Sequence, residues 1–332
     1  MTLAAGAYTE NVTISRSVNL KGAKANSNVN SRTFGNGAES TVTGMLTINA
    51  VDVKVDGFSL TNPNNGTGVL VKTPGNNAQI KNNIVDSVGG VSFSSNATGI
   101  YLEYGPDNVT VEKNKITNIS STPTAQGILV GDSTSGNPSL GIRISKNTIT
   151  NITSTRGTYG VIVNNGARSD VTATGYTTIK IRENTINGLS GNWAHAIGLE
   201  GDTPNAVVSK NVISNIVDIN PVPLPDAIGV NFESNVFFFT ADVSRNSLAV
   251  GNMAAGIFVN PALTTLYPSL EVDGTCNWWG DKTGPAAVGS GSGSFVGTNV
   301  DFKPWLKSSN INGRCGEKES RDDDNHHWSH DD

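Results

Sequence analysis

The sequence is poor in cysteine, methionine, aromatic residues and charged residues. Its 332 residues include two cysteines and three methionines, and only 6% are aromatic and 15% charged. No apolar run approaches the roughly 18 residues of a membrane-spanning helix, so we expect no membrane span. There is no Lys/Arg cluster, which argues against nucleic acid as a partner.

The small negative charge lies in one place. The net charge is −5, from 28 acidic and 23 basic residues. Residues 317–332 hold seven of the acids and two of the bases, so 1–316 balance at 28 − 7 = 21 acids and 23 − 2 = 21 bases. The sequence therefore predicts a neutral body with an acidic tail, the usual composition of a solvated or interacting terminus.

Asparagine recurs with a regular spacing. An apolar residue, two polar residues and Asn, followed by further apolar residues, repeat at steps of 27 to 37 residues. The Asn positions are Asn83, Asn114, Asn147, Asn184, Asn211, Asn246 and Asn277. We expect each Asn to occupy a bend between strands, where it adopts left-handed geometry and bonds to the backbone. Stacked turn on turn, the amides would form a ladder.

A second pattern repeats in phase with the first. It reads small, apolar, any, apolar, as in Gly99-Ile100-Tyr101-Leu102, and occurs seven times with a period near 30. Its two-residue alternation indicates short strands, and no segment sustains a helical period. The predicted fold class is all-β, a single-stranded parallel β-helix of about ten coils with a C-terminal cap.

Three motifs give the chain a family resemblance. They are Ala5–Ile14 at the start, Val53–Phe58 early on, and Asn277-Trp278-Trp279-Gly280 with Pro304-Trp305-Leu306 near the end. The chain resembles right-handed parallel β-helix proteins of the pectin-lyase-like superfamily, of the bacterial secreted or surface type, over roughly residues 3–306. The resemblance implies a solenoid over 1–272, a capping segment over 273–315 and a tail over 316–332. It implies an extracellular or cell-surface location but not one activity, because the superfamily includes enzymes, adhesins and structural proteins.

The ends of such a solenoid need covering. Trp278, Trp279, Phe295, Phe302 and Trp305 are expected to form a hydrophobic lid rather than a sugar platform. Cys276 and Cys315 flank this segment, and they form either a disulfide typical of secreted proteins or two free thiols. Met1 falls almost on the first coil, which leaves open a removed leader, a trimmed start, or a first coil that docks on another copy.

Candidate catalytic residues follow the second pattern. Superfamily enzymes that cleave polysaccharides cluster carboxylates in a groove on one sheet, either to bind Ca²⁺ or as an acid–base pair, and lyases add a basic side chain. The candidates here are Glu103, Asp132, Glu200, Asp202 and Glu233, with His195 nearby. Their alternative role is solubilising charge at strand ends, and no Lys or Arg occupies the matching positions. No cofactor is expected, although Ca²⁺ stays open.

The outward position of the second pattern is unusually apolar. It holds Leu70, Tyr101, Leu129, Ile162, Gly198, Gly229 and Phe258. A continuous apolar row of this kind marks a contact surface, unless loops such as 131–140 and 217–226 cover it. In the tail, His326, His327 and His330 accompany the acids and are weak metal-binding candidates, because no ligand spacing is present.

Together these observations favour a non-catalytic secreted or cell-surface structural or adhesive protein. We expect it to self-associate as a homo-oligomer or filament, or to bind a surface polysaccharide. The alternative is a polysaccharide lyase or glycoside hydrolase acting in a groove on one parallel sheet.

Overall fold

The computed structural model describes residues 1–103, 105–131, 139–165, 179–201, 206–220, 226–233, 241–251, 254–267, 270–286 and 291–316. In these ranges the chain forms three parallel sheets that wind into a right-handed parallel β-helix, so the predicted fold class is confirmed. The regular helices there are a 3₁₀ turn, Val29–Ser31, and an α-helix, Pro261–Leu266. The candidates Asp132, Asp202, His326, His327 and His330 lie outside the described residues.

Each coil contributes one strand to each sheet. Sheet 1 contains Gly6–Thr9, Ser40–Thr43, Phe58–Asn62, Ile84–Gly89, Lys115–Ser121, Thr148–Ser154, Thr185–Gly191, Val212–Asp218 and Ser247–Ala249. Sheet 2 contains Val12–Ile14, Leu46–Ile48, Thr67–Val71, Ala97–Leu102, Thr124–Val130, Gly157–Asn165, Trp193–Gly201, Ala227–Phe232, Ala255–Val259, Gly293–Val296 and Pro285–Ala286. Sheet 3 contains Asn19–Lys21, Lys54–Asp56, Gln79–Lys81, Thr110–Glu112, Arg143–Ser145, Lys180–Arg182, Ala206–Ser209, Ala241–Ser244, Val272–Asp273 and Val300–Asp301.

The core consists of branched aliphatic side chains stacked on their equivalents in the next coil. Ile100 pairs with Ile128 in sheet 2, and Val111 pairs with Ile144 in sheet 3. All four side chains are fully buried. Burying each one stabilises the fold by about 1.5–3 kcal/mol relative to exposure. The two-residue alternation that fills this core also directs every second side chain outward, where a site can form.

The recurring asparagines form a buried ladder between sheets 3 and 1. Asn147 Nδ2 donates to the Val111 carbonyl at 2.9 Å and to Asn184 Oδ1 at 3.0 Å. Its Oδ1 accepts from the backbone N–H and the side-chain amide of Asn114, at 2.9 and 3.1 Å. The same pattern links each ladder residue to the next from Asn83 to Asn277. Every amide is satisfied inside the protein, as a buried polar group requires.

The bend itself lies one residue earlier than the sequence predicts. The ladder Asn is not left-handed, and the residue before it is, with φ between 52° and 58°. These residues are Asn82, Lys113, Lys146, Glu183, Lys210, Arg245 and Cys276. The expectation of a left-handed Asn was wrong because the amide must point into the core to make its bonds. The sharp turn just before it directs the preceding side chain outward.

The first coils close the ladder differently. Phe58 occupies the ladder position in its coil, and its backbone N–H donates to Asn83 Oδ1 at 2.9 Å. The buried Arg32 pairs with the buried Glu39 and also donates to the Phe58 carbonyl at 3.0 Å. A charged pair that is desolvated and bonded on several sides fixes this loop against the coil.

The last coils are covered by aromatic residues and a disulfide. Trp279 is fully buried and packs on Gly256, where an added Cβ would approach the indole to 2.8 Å. Cys276 and Cys315 form a disulfide with a Cα–Cα distance of 5.4 Å. The strands Gly293–Val296 and Val300–Asp301 continue sheets 2 and 3, so the boundary expected at 272 is not a break in the sheets. Among the described helices, none has the length and apolar character needed to cross a bilayer.

Candidate functional site

The outward face of sheet 2 differs from the rest of the solenoid in charge. Its seven strands from Thr67–Val71 to Ala255–Val259 contain no Lys or Arg, and Glu200 is their one acidic residue. Side chains on this face form rows, because equivalent positions of neighbouring strands lie about 4.8 Å apart. Glu233 directly follows the strand Ala227–Phe232 and adds a second carboxylate at the edge of this face.

One coil of this face has a different register from the one the sequence suggested. Gly198 pairs with Asn231, not with Gly229. The prediction of Gly229 in the outward row was therefore wrong. The small-apolar pattern fits residues 227–230, as predicted, but in the structure residues 229–232 align with the pattern in the previous coil. Asn231, which contacts both His195 and Glu233, is the residue of this candidate site that sequence reasoning missed. Pairing Leu199 with Phe232, so that Glu200 and Glu233 align, is the signal that would have found it.

Glu200 and Glu233 are neighbours across two adjacent strands. Leu199 pairs with Phe232, and each glutamate is the next residue of its chain segment. The Glu233 backbone N–H donates to the Leu199 carbonyl at 3.1 Å, which continues the parallel register. The two glutamate backbones are thus one strand spacing apart, about 4.8 Å. Of the described sequence candidates, these two are brought together with His195, whose Nδ1 lies 3.6 Å from Glu233 Oε1.

Both glutamates are half-buried, and the pKa values of their carboxyl groups rise. Burial, reinforced by the negative charge of Glu233, raises the pKa of Glu200 to about 7. Burial also raises the pKa of Glu233, and a hydrogen bond from Asn231 Nδ2 to Glu233 Oε1 opposes that shift. The two groups therefore differ: Glu200 keeps its proton to a higher pH, while a donor stabilises the ionised form of Glu233.

His195 lies beneath this pair as a neutral imidazole. Its side chain is buried, and burial lowers its pKa to about 4. Its Nδ1 lies 3.1 Å from Asn231 Nδ2 and 3.6 Å from Glu233 Oε1. The Asn231 amide has two hydrogens, one for Nδ1 and one for Glu233, so Nδ1 is the acceptor and Nε2 carries the proton. His195 thus positions Asn231 rather than serving as a base.

Aromatic residues border the site, with Tyr159 on the previous coil and Trp193 on the coil of His195. The Tyr159 ring meets the His195 ring edge to face at 5.4 Å between centroids. Burial and the charges of Glu200 and Glu233 raise the pKa of Tyr159, so its hydroxyl stays protonated. The Arg156 guanidinium lies 5.5 Å above the Trp193 ring. The sequence placed His195 beside Trp193, whereas its ring contact in the structure is with Tyr159.

A groove continues along the same face. It has a volume of about 320 Å³. Its walls are Thr67, Asn96, Thr98, Tyr101, Gln126, Leu129, Gly131 and Asn164. Asn164 pairs with Glu200 across the sheet, which connects the groove to the carboxylates. The amide oxygens of Asn164 and Asn231 are buried and have no partner in the described part of the chain, a costly state that an incoming hydroxyl donor would relieve.

The predicted apolar row is only partly accessible. Leu70 and Ile162 are 9% and 3% exposed, whereas Tyr101, Leu129 and Phe258 are half-buried. Gly198 lies in the row as expected and presents no side chain. The row is therefore interrupted at Ile162 and Gly198, and the accessible apolar surface lies mainly at Tyr101 and Leu129, within the groove.

Glu103 is the remaining candidate within the described residues, and it is separate from the pair. Glu103 occupies the same row as Glu200, three strand spacings or about 14 Å earlier. In the described ranges, no three His, Cys, Asp or Glu side chains are grouped so as to hold a metal ion.

The site therefore consists of two neighbouring carboxyl groups, an amide donor and a neutral imidazole, beside a groove lined by polar and aromatic side chains. The chain matches no protein-family model, no curated protein and no solved structure.

Proposed function

We propose that this protein is an extracellular or cell-surface glycoside hydrolase that binds a neutral glycan along sheet 2 and cleaves it at Glu200 and Glu233. The observation that carries the proposal is the pairing of two glutamates on adjacent strands, one of which has a pKa of about 7. Two carboxyl groups with separated pKa values are the usual acid–base arrangement of glycosidases.

The environments of the two groups assign their roles. Glu200 is protonated below about pH 7 and donates its proton to the glycosidic oxygen as the bond from that oxygen to the anomeric carbon breaks. Glu233, ionised and bonded to Asn231, attacks the anomeric carbon and forms a glycosyl ester. Water then displaces Glu233 from the anomeric carbon and gives its proton to Glu200, which restores both groups. This is the retaining course, in which one carboxylate forms a covalent intermediate that water then hydrolyses.

The charge of the face supports a neutral substrate. Uronic acid or sulfated sugars need cations for recognition, and the seven central strands of sheet 2 contain none. Arg156, which precedes the strand Gly157–Asn165 at the border of the site, is stacked on the Trp193 ring. Lyase chemistry also requires a basic group near an acidic sugar, so the same composition favours hydrolysis. Sugar hydroxyls suit the amide and hydroxyl groups of Thr98, Gln126 and Asn164, and Tyr101 offers a ring for the apolar face of a pyranose.

The test is hydrolysis of a panel of neutral and anionic polysaccharides, measured as new reducing ends with and without Ca²⁺. We expect cleavage of a neutral polymer. Glu200→Gln should lower kcat by about 10²–10⁴-fold, the contribution of one general acid, and Glu233→Gln, which lacks the nucleophile, should lower kcat by at least as much. Glu103→Gln is the matched control, because it lies in the same row outside the pair. Activity that survives both substitutions, or no activity on any neutral polymer, contradicts the proposal.

A second candidate function is adhesion or self-association without cleavage. It is favoured by the half-buried apolar side chains of Tyr101, Leu129 and Phe258 on an otherwise polar face. Such a surface would pack on a second copy or on a glycan. The two candidates differ in outcome, because adhesion does not require the carboxyl groups of Glu200 and Glu233.

A further inference from the structure

Sheet 3 carries a concentration of positive charge that the proposed function does not use. This positive charge lies on five strands of sheet 3, from Thr110–Glu112 to Ala241–Ser244, and on the residue that follows each strand. We call this surface the basic ridge. Its charged members are Lys113, Arg143, Lys146, Lys180, Arg182, Lys210 and Arg245, with Glu112, Glu183 and Asp242. Seven cations and three anions leave 7 − 3 = +4 in a body that is neutral as a whole.

The bend before each ladder asparagine builds the outer line of this ridge. Lys113, Lys146 and Lys210 have positive φ there, and their side chains are exposed. The Lys113 backbone N–H donates to the Ser145 carbonyl at 3.1 Å, so the bends stack from coil to coil. The side chains therefore repeat about every 4.8 Å.

Only part of this charge is compensated. Glu112 lies within 4.0 Å of both Lys113 and Lys146, and Glu183 lies 3.9 Å from Lys146. Arg143, Lys180, Arg182 and Lys210 make no ion pair with any described residue. The ridge thus has cations available for an anionic partner.

The C-terminal segment approaches this ridge. The disulfide joins Cys315 to Cys276, the last of the bend residues. Two residues before Cys315, the Gly313 carbonyl accepts a hydrogen bond from Arg245 Nη1 at 3.2 Å. Ile311 and Asn312 line a groove together with Lys210 and Glu183 of the ridge. The chain therefore enters the tail beside one end of the ridge.

The tail has the charge and the length to cover that surface. Residues 317–332 carry seven acids against Lys318 and Arg321, a net −5. Sixteen residues reach about 53 Å when extended. Lys113 lies five coils from Cys276, or about 24 Å. Asp322, Asp323 and Asp324 lie early enough in the tail to reach the middle of the ridge.

We propose that the acidic tail, residues 317–332, docks on the basic ridge of its own chain through contacts between its carboxylates and the ridge cations. This contact is independent of the site on sheet 2. It would occupy this cationic surface and keep other polyanions from it.

The test is zero-length coupling of carboxylates to lysines with a carbodiimide on the full chain, with the linked peptides identified by mass spectrometry. The protein is an equal mixture of ¹⁴N- and ¹⁵N-labelled chains, so links within and between chains are distinguished. We expect same-isotope links from the tail aspartates to Lys146, Lys180 or Lys210. Their yield should fall about fivefold or more at 0.5 M NaCl, where the Debye length is about 4 Å.

Two controls make the result specific. Lys24 and Lys72 lie off the ridge and report random coupling. The variant Lys146→Glu/Lys210→Glu reverses two ridge charges at exposed positions and should abolish the remaining ridge links. Mixed-isotope links, ridge yields no higher than those at Lys24 and Lys72, or yields that salt does not change would each overturn the proposal.

Discussion

Glu200 and Glu233 occupy matching positions on adjacent strands of sheet 2, and the charge of Glu233 helps to raise the pKa of Glu200 to about 7. Asn231, two residues before Glu233, donates a hydrogen bond to the Glu233 carboxylate and so opposes the rise in the pKa of Glu233. The two glutamates differ in environment because of the backbone register: Asn231 pairs with Gly198 of the previous coil, which has no side chain.

This asymmetry predicts a pH dependence for hydrolysis. Activity requires Glu233 ionised and Glu200 protonated, so kcat/KM should be bell-shaped. The upper limb should fall near pH 7, and the lower limb should lie above 4.5, the ordinary value that Glu233 exceeds. The measurement is kcat/KM on the cleaved polymer from pH 4 to 9. A profile that stays flat through pH 8 would contradict the role of Glu200 as the acid.

The same pKa shift predicts a gain in stability when Glu200 is neutralised. Its folded pKa, about 7, exceeds the ordinary 4.5, so the folded state loses stability as the pH rises from 4.5 through 7. Glu200→Gln removes that loss and should stabilise the protein by about 1–3 kcal/mol at pH 8. At pH 4, where the carboxyl is protonated in both states, the effect should vanish. Denaturant unfolding at both pH values measures it, with Glu103→Gln as control.

The solenoid was predictable from the sequence because its signals are repeated and local. The Asn and small-apolar patterns each recur every 27 to 37 residues, and stacking turns them directly into ladders and strands. A single coil alone carries a weak signal; seven in phase specify the fold. The left-handed bend was misplaced by one residue. The repeat shows which side chain recurs, but it does not show which residue has the left-handed backbone conformation.

The site was only partly predictable. Glu200 and Glu233 were identified as candidates, but Asn231 was missed, since its importance depends on a two-residue choice of register in one strand. The burial of Ile162 and Leu70 could not be foreseen from alternation, which gives direction but not coverage. The pKa differences also depend on burial and on neighbours from other coils, which have no sequence proximity.

The disulfide should stabilise the C-terminal end. Cys276 and Cys315 are 39 positions apart, and a loop of that length contributes roughly 3–4 kcal/mol through loss of unfolded-state entropy. We expect Cys276→Ala/Cys315→Ala to lower the unfolding midpoint and to expose the buried Trp279 to water. Tryptophan fluorescence during denaturant unfolding measures both effects. An unchanged midpoint would show that packing on Gly256 alone holds the cap.

If the outward row of sheet 2 packs on a second copy, Tyr101→Lys and Leu129→Lys should abolish association. Both side chains are half-buried, and a lysine at either position places a charge in the contact. Multi-angle light scattering across a concentration series gives the mass of the assembly. Thr110→Lys, on sheet 3, controls for added charge. A wild-type protein that stays monomeric at every concentration would remove self-association as a function.

Removing the side-chain amide of an asparagine in the middle of the ladder should lower the stability of the protein. Asn147 makes four hydrogen bonds, two as donor and two as acceptor, and is buried. Asn147→Ala removes the acceptor of the Asn114 backbone N–H and of the Asn114 side-chain amide, and one donor to the Val111 carbonyl, in a space that water does not reach. Asn184 Oδ1 still accepts from the backbone N–H of residue 147. Each orphaned group costs about 1–3 kcal/mol, part of which relaxation recovers, so we expect a total loss of about 2–4 kcal/mol. Asn19→Ala, at an exposed strand position, should change the unfolding free energy by less than about 0.5 kcal/mol. Equal effects of the two substitutions would mean that the ladder contributes no more than surface asparagines do, and that stacked aliphatic side chains alone hold the coils together.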